Sequence, residues 1–542
     1  MNTHAVSNQS PVFEDINLFE LDKPLQNILT HYNANWDSNV MTSYGKTLGS
    51  AEWIRKGHQA NNHAPIFHSH NSKGQRVDEI EYHPAYHEIL GLSIAQGLTS
   101  QPWSTTQENA HVVRMAKTYL ATQNEAGTGC PITMTFSSVP TIQNNFPQAD
   151  KWIPKILNAK YDPRNKPYFE KEGLTIGMAM TEKQGGTDVR ANTTSATPLG
   201  KSGRGELYSI FGHKWFCSAP MCDAFLTLAQ TPKGLSCFLF PRWTEDGNKN
   251  NFRIQRLKHK LGNKSNASSE IEFDGAHAWL MGEEGKGIAT ILEMVTFCRY
   301  DCMIASTCFM RRALSEVIHH IRYREVFGKK LIDQPLMQQV VADIALESYG
   351  ALAMTARTAH SIDQTHSSEE QQLLRLFTPV GKYYITKRAS PMIVESMECL
   401  GGNGYVEDNI LPRLYREAPV NAIWEGSGNV QCLDVMKAIR KSPDLLNNLI
   451  SYLEIGLGKN EYYDSALSTF KNKSQDLLSN EIYARQLSEK LAVLIQANEI
   501  MTLADDLIAE SFCKSRLDNP SSMYGSSTIL HAQHIINYSM NV

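Results

Sequence analysis

About a hundred residues with the texture of strands lie between two stretches of helical spacing, and few folds accommodate that order. From about Leu174 to Leu280 the runs LYSIF, AFLTLAQ, LSCFLFP, FRIQRL and SEIEF are separated by clusters of Gly, Pro, Asn, Asp and Lys, which predicts a compact antiparallel β unit. Beyond GEEGKG (282–287), apolar residues recur at helical spacing over 288–323, roughly 335–363, 369–400 and 430–440, with HSIDQTHSSEE (360–370) as a polar break. Long apolar-faced helices in that number predict a bundle. Ahead of the β unit, HEILGLSIAQGL (87–98) and NAHVVRMAKTYLATQ (109–123) read as helices within a loop-rich region that begins with an irregular arm. The last segment has helical texture over 443–456, 462–478 and 480–511, followed by a polar tail.

A chain of 542 residues buries a large core and divides into several structural units. The net charge of -4 and pI near 6.5 give no overall basicity that would favour nucleic acid. The sequence begins MNTHAVSNQSPVFEDINLFELDK, without a basic stretch leading into an apolar one, and has no run of about 18 apolar residues. These features predict a soluble cytoplasmic protein without a membrane partner. Ten isolated cysteines, none in a CxxC pair, predict reduced thiols. His63, His68 and His70 cluster in NNHAPIFHSHN without zinc spacing, so this stretch is expected to be a loop and no metal site is expected.

Candidate chemistry falls at the seams between textures, where ligand sites concentrate. In IWEGSGNVQ (423–431), Glu425 follows Ile423 and Trp424, which would strip water from its carboxylate and raise its pKa towards use as a general base. Gly426, Ser427, Gly428 and Asn429 then lead into a helix whose buried side Val430, Leu433, Val435, Met436 and Ile439 can supply. Its unpaired N–H groups suit an anion such as a pyrophosphate. In MTEKQGGTDV (180–189), Thr181 and Thr187 bracket a Gly185–Gly186 turn and offer donors to a phosphate or to the carbonyl and N5 edges of a flavin. HKWFCS (213–218) places Trp215 in the β unit, and RYREVFGKK (322–330) places Arg324 at a helix end, where a guanidinium can grip a phosphate. Gly401–Gly402–Asn403–Gly404 lacks the preceding strand of a dinucleotide-binding turn.

Taken in order, CPITMTFSS, MTEKQGGTDV, HKWFCS, KLGNKSNAS, GEEGKG, the RYREVFG string, LGGNGY and RLYREAP with IWEGSGNVQ resemble the acyl-CoA dehydrogenase family over about 130–440. NANWDSNVMTSYGKTLGSAEW (33–53), YHPAYH (82–87), GCPITMT (129–135) and the C-terminal extension are similar to the family's alkylation-response branch, which extends the resemblance over nearly the whole chain. The resemblance implies an α+β multidomain fold. It would comprise an N-terminal α-helical domain with an extended arm (1–175), a middle antiparallel β-barrel domain (176–285), a C-terminal four-helix bundle carrying the catalytic glutamate (286–440) and a helical extension (441–542). It further implies an FAD enzyme in which Glu425 removes the α-proton of an acyl-CoA thioester while the β-hydride passes to the flavin. Cofactor contacts carry over to Met180, Thr181, Thr187, Trp215, Phe216, Cys217 and Ser218, and to Ile423, Trp424, Gly426, Ser427, Gly428 and Asn429. Arg324 matches the arginine that meets the pyrophosphate across a subunit interface, which implies a homotetramer built as a dimer of dimers. Arg299 matches the arginine on the CoA side of the substrate.

The chain departs from the pattern at Pro335 and Glu398, where relatives carry glutamines, and at Cys308, where a smaller residue is usual. A narrowed acyl channel follows as an expectation, with short or branched, isovaleryl-like thioesters as substrates. The branch is also associated with DNA binding through the C-terminal region and with protection against alkylating agents. Residues 441–542 hold eight Lys and Arg against twelve Asp and Glu, so the expectation is weak, salt-dependent binding of double-stranded DNA. Its basic residues would come from Lys437, Arg440 and Lys441, or from Lys471 and Lys473. Two other readings stay open: a DNA-shielding protein with a vestigial flavin site, and a flavin-free lipid or acyl-carrier binder.

Overall fold

A computed structural model describes residues 3–518 and 520–541. The chain forms two compact units: Met1–Ile54, Gln107–Asn124 and Cys302–Val542 make a helical unit, while Arg55–Thr106 and Glu125–Asp301 make a barrel unit.

In the barrel unit, Leu207–Ser218 pairs on one side with Ser195–Pro198 and on the other with the long strand Ser268–Met281. The circuit continues through Gly234–Pro241 and Ala224–Thr231, and closes by the pairing of Gln230 with Ser195. Ile176–Ala179 adds to Ala224–Thr231, and Phe252–Leu257 adds to Ser268–Met281. The sheet is antiparallel except for the parallel pairings of Ala224–Thr231 with Ile176–Ala179 and with Ser195. Ala224–Ala229 and Leu235–Pro241 are buried on both faces, which explains why they read as continuous apolar runs and not as alternating ones. Phe225 and Phe240 stack at 5.0 Å, with Phe252 and Phe273 against Phe240.

The histidine-bearing stretch is not a loop. Ile66–His70 is a strand paired antiparallel with Arg76–Glu81. Asn71 makes the reversal by accepting the backbone N–H groups of Lys73 and Gln75 through its side chain, and Gly74 takes the left-handed conformation that the turn needs. The three histidines have separate partners: His63 bonds the Gln59 carbonyl, His68 the Glu81 carboxylate and His70 the Ser69 hydroxyl. Among the described residues, no group of three or more His, Cys, Asp or Glu could hold a metal ion.

In the helical unit, Ala110–Asn124 is buried along its whole length, and Pro335–Asp363 is buried almost continuously from Val341 to Ile362. Both helices are covered on all sides, and the charged residues they carry, Arg114 and Lys117 in the first and Asp343, Glu347 and Arg357 in the second, are buried with the apolar ones. Ser368–Leu400, Ala484–Leu503 and Ala532–Ser539 pack on Pro335–Asp363, and Ala484–Leu503 also packs on Gly428–Lys441. The end of the chain is therefore not a polar tail: Ile535, Ile536, Tyr538 and Met540 enter the core. Arg311 ties this end down, donating to the Ser539 and Leu21 carbonyls and pairing with buried Asp22 at 2.9 Å. Gly287–Tyr323 is one helix; its residues to Asp301 count with the barrel unit and those from Cys302 with the helical unit. None of the ten cysteines is in a disulfide, and no helix among the described residues is long and apolar enough to cross a membrane.

Candidate functional site

The two motifs of the barrel unit are joined at their roots. Strand Ile176–Ala179 ends at Ala179, the chain turns through Met180, and the Thr181 carbonyl accepts the Trp215 N–H at 2.8 Å. Beside this bond, Glu182 and Lys214 are both fully buried and paired at 2.8 Å. Every group of the pair is served: Glu182 also accepts from the Thr193 N–H and hydroxyl and the Thr194 N–H, and Lys214 also donates to the Leu228 carbonyl. The turn that follows runs past Gly185 and Gly186. A Cβ at Gly186 would come to 2.4 Å from the Thr181 hydroxyl, so the close approach requires glycine. Thr181 and Met180 are half-buried, and Thr187 is exposed.

Between Lys214 and Cys217 the register of Leu207–Ser218 shifts by one residue against Ser268–Met281, a bulge that turns side chains out of the pleat. Lys214 and Cys217 point into the barrel, Trp215 is half-buried, and Phe216 is 53% exposed. The Lys258 ammonium lies 3.4 Å from the centroid of the Trp215 ring, a cation–π contact that fixes the indole. Cys217 can offer a ligand only its backbone, and burial pushes its thiol pKa upward. The Ser218 hydroxyl lies 2.9 Å from the Cys130 sulfur and accepts from Asn266 at 2.7 Å. Arg299 sits half-buried on Gly287–Tyr323, within the residues that count with the barrel unit.

In the helical unit, helix Leu411–Asn421 delivers the chain into a tight turn over Ala422–Gly426, and Ser427 stands just ahead of the next helix, Gly428–Lys441, without a side-chain capping bond. Glu425 has φ +57° and Gly426 φ +100°. A non-glycine residue in the left-handed region is uncommon, and for a glutamate it requires outside constraint. That constraint is visible. Three consecutive carbonyls are gripped by two buried side chains: Lys382 donates to Trp424 O at 2.8 Å and to Gly426 O, while Gln431 donates to Glu425 O at 3.1 Å and to Gly426 O at 2.9 Å. The Trp424 indole N–H donates to Asn421 at 3.1 Å, and Arg485 donates to Asn429 at 2.8 Å. Glu425 and Trp424 are half-buried, Gly428 is buried, and Ser427 and Asn429 are exposed. Ile423 is 65% exposed in the single chain, so the apolar cover expected of it over Glu425 is incomplete there.

Arg324 follows the last residue of its helix and is succeeded by a hairpin that the sequence reading did not anticipate. Glu325–Val326 pairs with Lys329–Lys330, and the two connecting residues, Phe327 and Gly328, have φ +54° and +74°. Positive φ at both positions is the signature of a type I′ turn. Phe327 is 97% exposed at its tip. The N-terminal arm straps this hairpin down: Asn8 exchanges side-chain hydrogen bonds with the Glu325 backbone, and its carbonyl accepts from Arg324 at 2.6 Å. Pro335 begins the following helix, and the neighbouring Gln334 donates to the Val326 carbonyl at 2.9 Å. Glu398 is exposed in the last turn of its helix, and Cys308 is fully buried.

Glu182, Lys214 and Lys382 were not singled out from sequence. The available signal was a charged residue inside a run with buried neighbours, as in TPVGKYYI around Lys382.

Residues 8–163 match the adaptive response protein AidB N-terminal domain, residues 177–276 the acyl-CoA dehydrogenase middle domain and residues 285–440 the acyl-CoA dehydrogenase C-terminal domain. The chain is 41% identical over 521 residues to the putative acyl-CoA dehydrogenase AidB of Escherichia coli, covering 95% of each. It is 30% identical over 476 residues to acyl-CoA dehydrogenase family member 11 of Caenorhabditis elegans, covering 84% of this chain and 76% of that one. The crystal structure of Caenorhabditis elegans ACDH-11 in complex with C11-CoA superposes with a TM-score of 0.85 at 26% identity, covering 99% of this chain and 93% of that one.

Proposed function

The chain belongs to the acyl-CoA dehydrogenase family, in its AidB branch, and from that premise we propose that it is an FAD flavoprotein that dehydrogenates a short or branched, isovaleryl-like acyl-CoA, with Glu425 as the base. The observation that carries the reading is the left-handed Glu425: a half-buried carboxylate held in a costly backbone conformation.

The residues present fit FAD. Gln431 spends its amide N–H groups on the Glu425 and Gly426 carbonyls, which leaves Oε1 buried and without a hydrogen-bond partner, an acceptor in want of a donor such as a ribityl or ribose hydroxyl. The Trp215–Phe216 bulge offers an aromatic wall, and the Thr181–Gly186 turn offers a hydroxyl where only glycine permits close approach. Met180, Thr187, the backbone of Cys217, Ser218 and the Ile423–Asn429 segment complete the proposed cofactor contacts. When bound, FAD supplies the hydride acceptor. Glu425 takes the α-proton of the thioester, and loss of proton and hydride leaves the 2-enoyl-CoA. Arg299 is assigned to the CoA side.

We place the protein in the cytoplasm as a homotetramer, a dimer of dimers, in which the hairpin carrying Phe327 and the adjacent Arg324 face a neighbouring subunit and its FAD pyrophosphate. An aromatic side chain held in solvent at the tip of a rigid turn supports such an interface. The segments 1–175, 176–285, 286–440 and 441–542 are the corresponding functional divisions. The test is an anaerobic titration of the yellow protein with straight and branched acyl-CoAs. Isovaleryl-CoA is expected to bleach the flavin bands. Bleaching by an eleven-carbon thioester in preference to isovaleryl-CoA overturns the proposed acyl specificity, and bleaching by no thioester overturns the dehydrogenase reading.

Similarity to AidB over nearly the whole chain favours a second role, retention of duplex DNA in a response to alkylation damage. The expected surface is thin. Arg440 is bonded to the Leu478 carbonyl and Lys471 is paired with Glu454, which leaves few cations of the C-terminal region for phosphates. Each neutralised phosphate contributes about 0.9 to the slope of log K against log salt. Two or three contacts predict a slope of about -2 to -3 and loss of binding at physiological salt. A nanomolar gel shift that does not change with salt would contradict this.

A further inference from the structure

We propose that Lys382 is a positioning residue for Glu425: its buried ammonium fixes the backbone on both sides of the carboxylate-bearing Cα, with Gln431 as the second brace. The inference rests on the reading of Glu425 as the base and identifies what holds that base in place.

The geometry is specific. Lys382 lies in the middle of helix Ser368–Leu400, 1% or less exposed with Val380, Gly381, Tyr383 and Ile385 around it in sequence, all buried. A lysine in such surroundings costs free energy that an apolar residue of similar length would not. Its ammonium donates to Trp424 O and Gly426 O, the carbonyls one residue before and one residue after Glu425. The bond to Trp424 O orients the peptide plane that enters the Glu425 Cα, and the bond to Gly426 O holds the plane that leaves the Gly426 Cα. The intervening carbonyl, Glu425 O, belongs to Gln431, which reaches back from helix Gly428–Lys441 and shares Gly426 O with the lysine. Gln431 is itself completely buried. Helices Ser368–Leu400 and Gly428–Lys441 pack on one another, so both braces stand on rigid elements and not on the turn they hold.

A left-handed glutamate is disfavoured by its own Cβ, so the turn would relax towards ordinary φ without these bonds. Relaxation redirects the Cα–Cβ bond and with it the carboxylate. Misplacement of a reacting group by about 1 Å costs on the order of 100-fold in rate. In this scheme Lys382 acts through the backbone on either side of Glu425.

The test uses the full-length, FAD-loaded protein carrying Lys382→Met, with Lys382→Gln as a second variant that keeps one short donor. Two readouts are made. In anaerobic stopped flow with the acyl-CoA that best reduces the wild type, the limiting rate of flavin bleaching per bound FAD is expected to fall about 100-fold in Lys382→Met. The concentration giving half the limiting rate should stay within about threefold. In amide hydrogen exchange, residues 423–427 are expected to exchange at least tenfold faster in the variant, while the rest of Ser368–Leu400 is unchanged. A lysine that serves stability alone would lower Tm and leave the rate per bound flavin and the local exchange as in the wild type. That result in either variant overturns the proposal. If no thioester bleaches the wild type, the dehydrogenase reading fails, and the exchange experiment still decides whether Lys382 holds the turn.

Discussion

Replacing Lys214 with methionine is expected to destabilise the protein by about 3–5 kcal/mol, because it strands the Glu182 carboxylate in the barrel interior without its counter-charge. The two side chains are completely buried and 2.8 Å apart. Burial alone would push the Glu182 pKa up, but the Lys214 ammonium and the donors from Thr194 and Thr193 outweigh it and hold the carboxyl down to about 2. Burial draws Lys214 down to about 8, against the opposing pull of Glu182. The pair is therefore ionised at neutral pH. A carboxyl whose folded pKa lies below its unfolded value of 4.5 contributes stability that is present above that pH and is lost as pH falls through about 2. Urea denaturation of Lys214→Met at pH 7 checks the first expectation, and a loss below about 1 kcal/mol would refute it. The acid-sensitive component should be absent from a Glu182→Leu, Lys214→Met double variant. That variant should also be more stable than Lys214→Met alone, since a buried pair removed whole leaves no lone charge. The same single change should reduce FAD retention, because the pair joins the Thr181–Gly186 turn to the Trp215–Phe216 bulge.

This pair also marks the limit of what could be read from sequence. The long helices were legible because their apolar residues repeat at a period that only a helix satisfies, and the structure has them at Gly287–Tyr323, Pro335–Asp363 and Ser368–Leu400. The strands of the barrel were legible for a different reason: they are short apolar and aromatic runs bounded by clusters of Gly, Pro, Asn, Asp and Lys. Glu182 and Lys214 stand 32 residues apart, and neither flanking motif indicates that the other's charge lies beside it. Lys382 was hidden in the same way, 42 residues from Trp424. Local turn chemistry misled elsewhere. Phe327–Gly328 read as a helix end because phenylalanine seldom takes positive φ, and Ile66–His70 read as a loop because its histidines outweigh its two apolar residues. Helix Leu411–Asn421 escaped notice because Pro412 and Pro419 look like breakers, although one sits in the first turn, where proline is tolerated, and the other sits near the end. The grouping of residues into two units also had no linear signature, since residues 107–124 join the helical unit from between two segments of the barrel unit.

Changing Glu425 should move activity and stability in opposite directions. Glu425→Gln keeps the size of the side chain and removes its basicity. Since a positioned general base contributes about 100- to 10,000-fold, flavin bleaching by acyl-CoA should slow by about that factor, with the oxidised spectrum and FAD content unchanged. Glu425→Asn asks a different question. The left-handed conformation at φ +57° costs an ordinary L-residue roughly 1–2 kcal/mol, and asparagine bears it more readily. That variant is expected to be inactive in bleaching and more stable than the wild type by up to about 1 kcal/mol, read as a higher denaturation midpoint. The combination is diagnostic, because a glutamate retained for packing or solubility would lose stability on truncation, whereas a strained catalytic glutamate gains it. A Glu425→Asn protein that is less stable than the wild type, together with a Glu425→Gln protein that bleaches at the wild-type rate, would remove Glu425 from the chemistry.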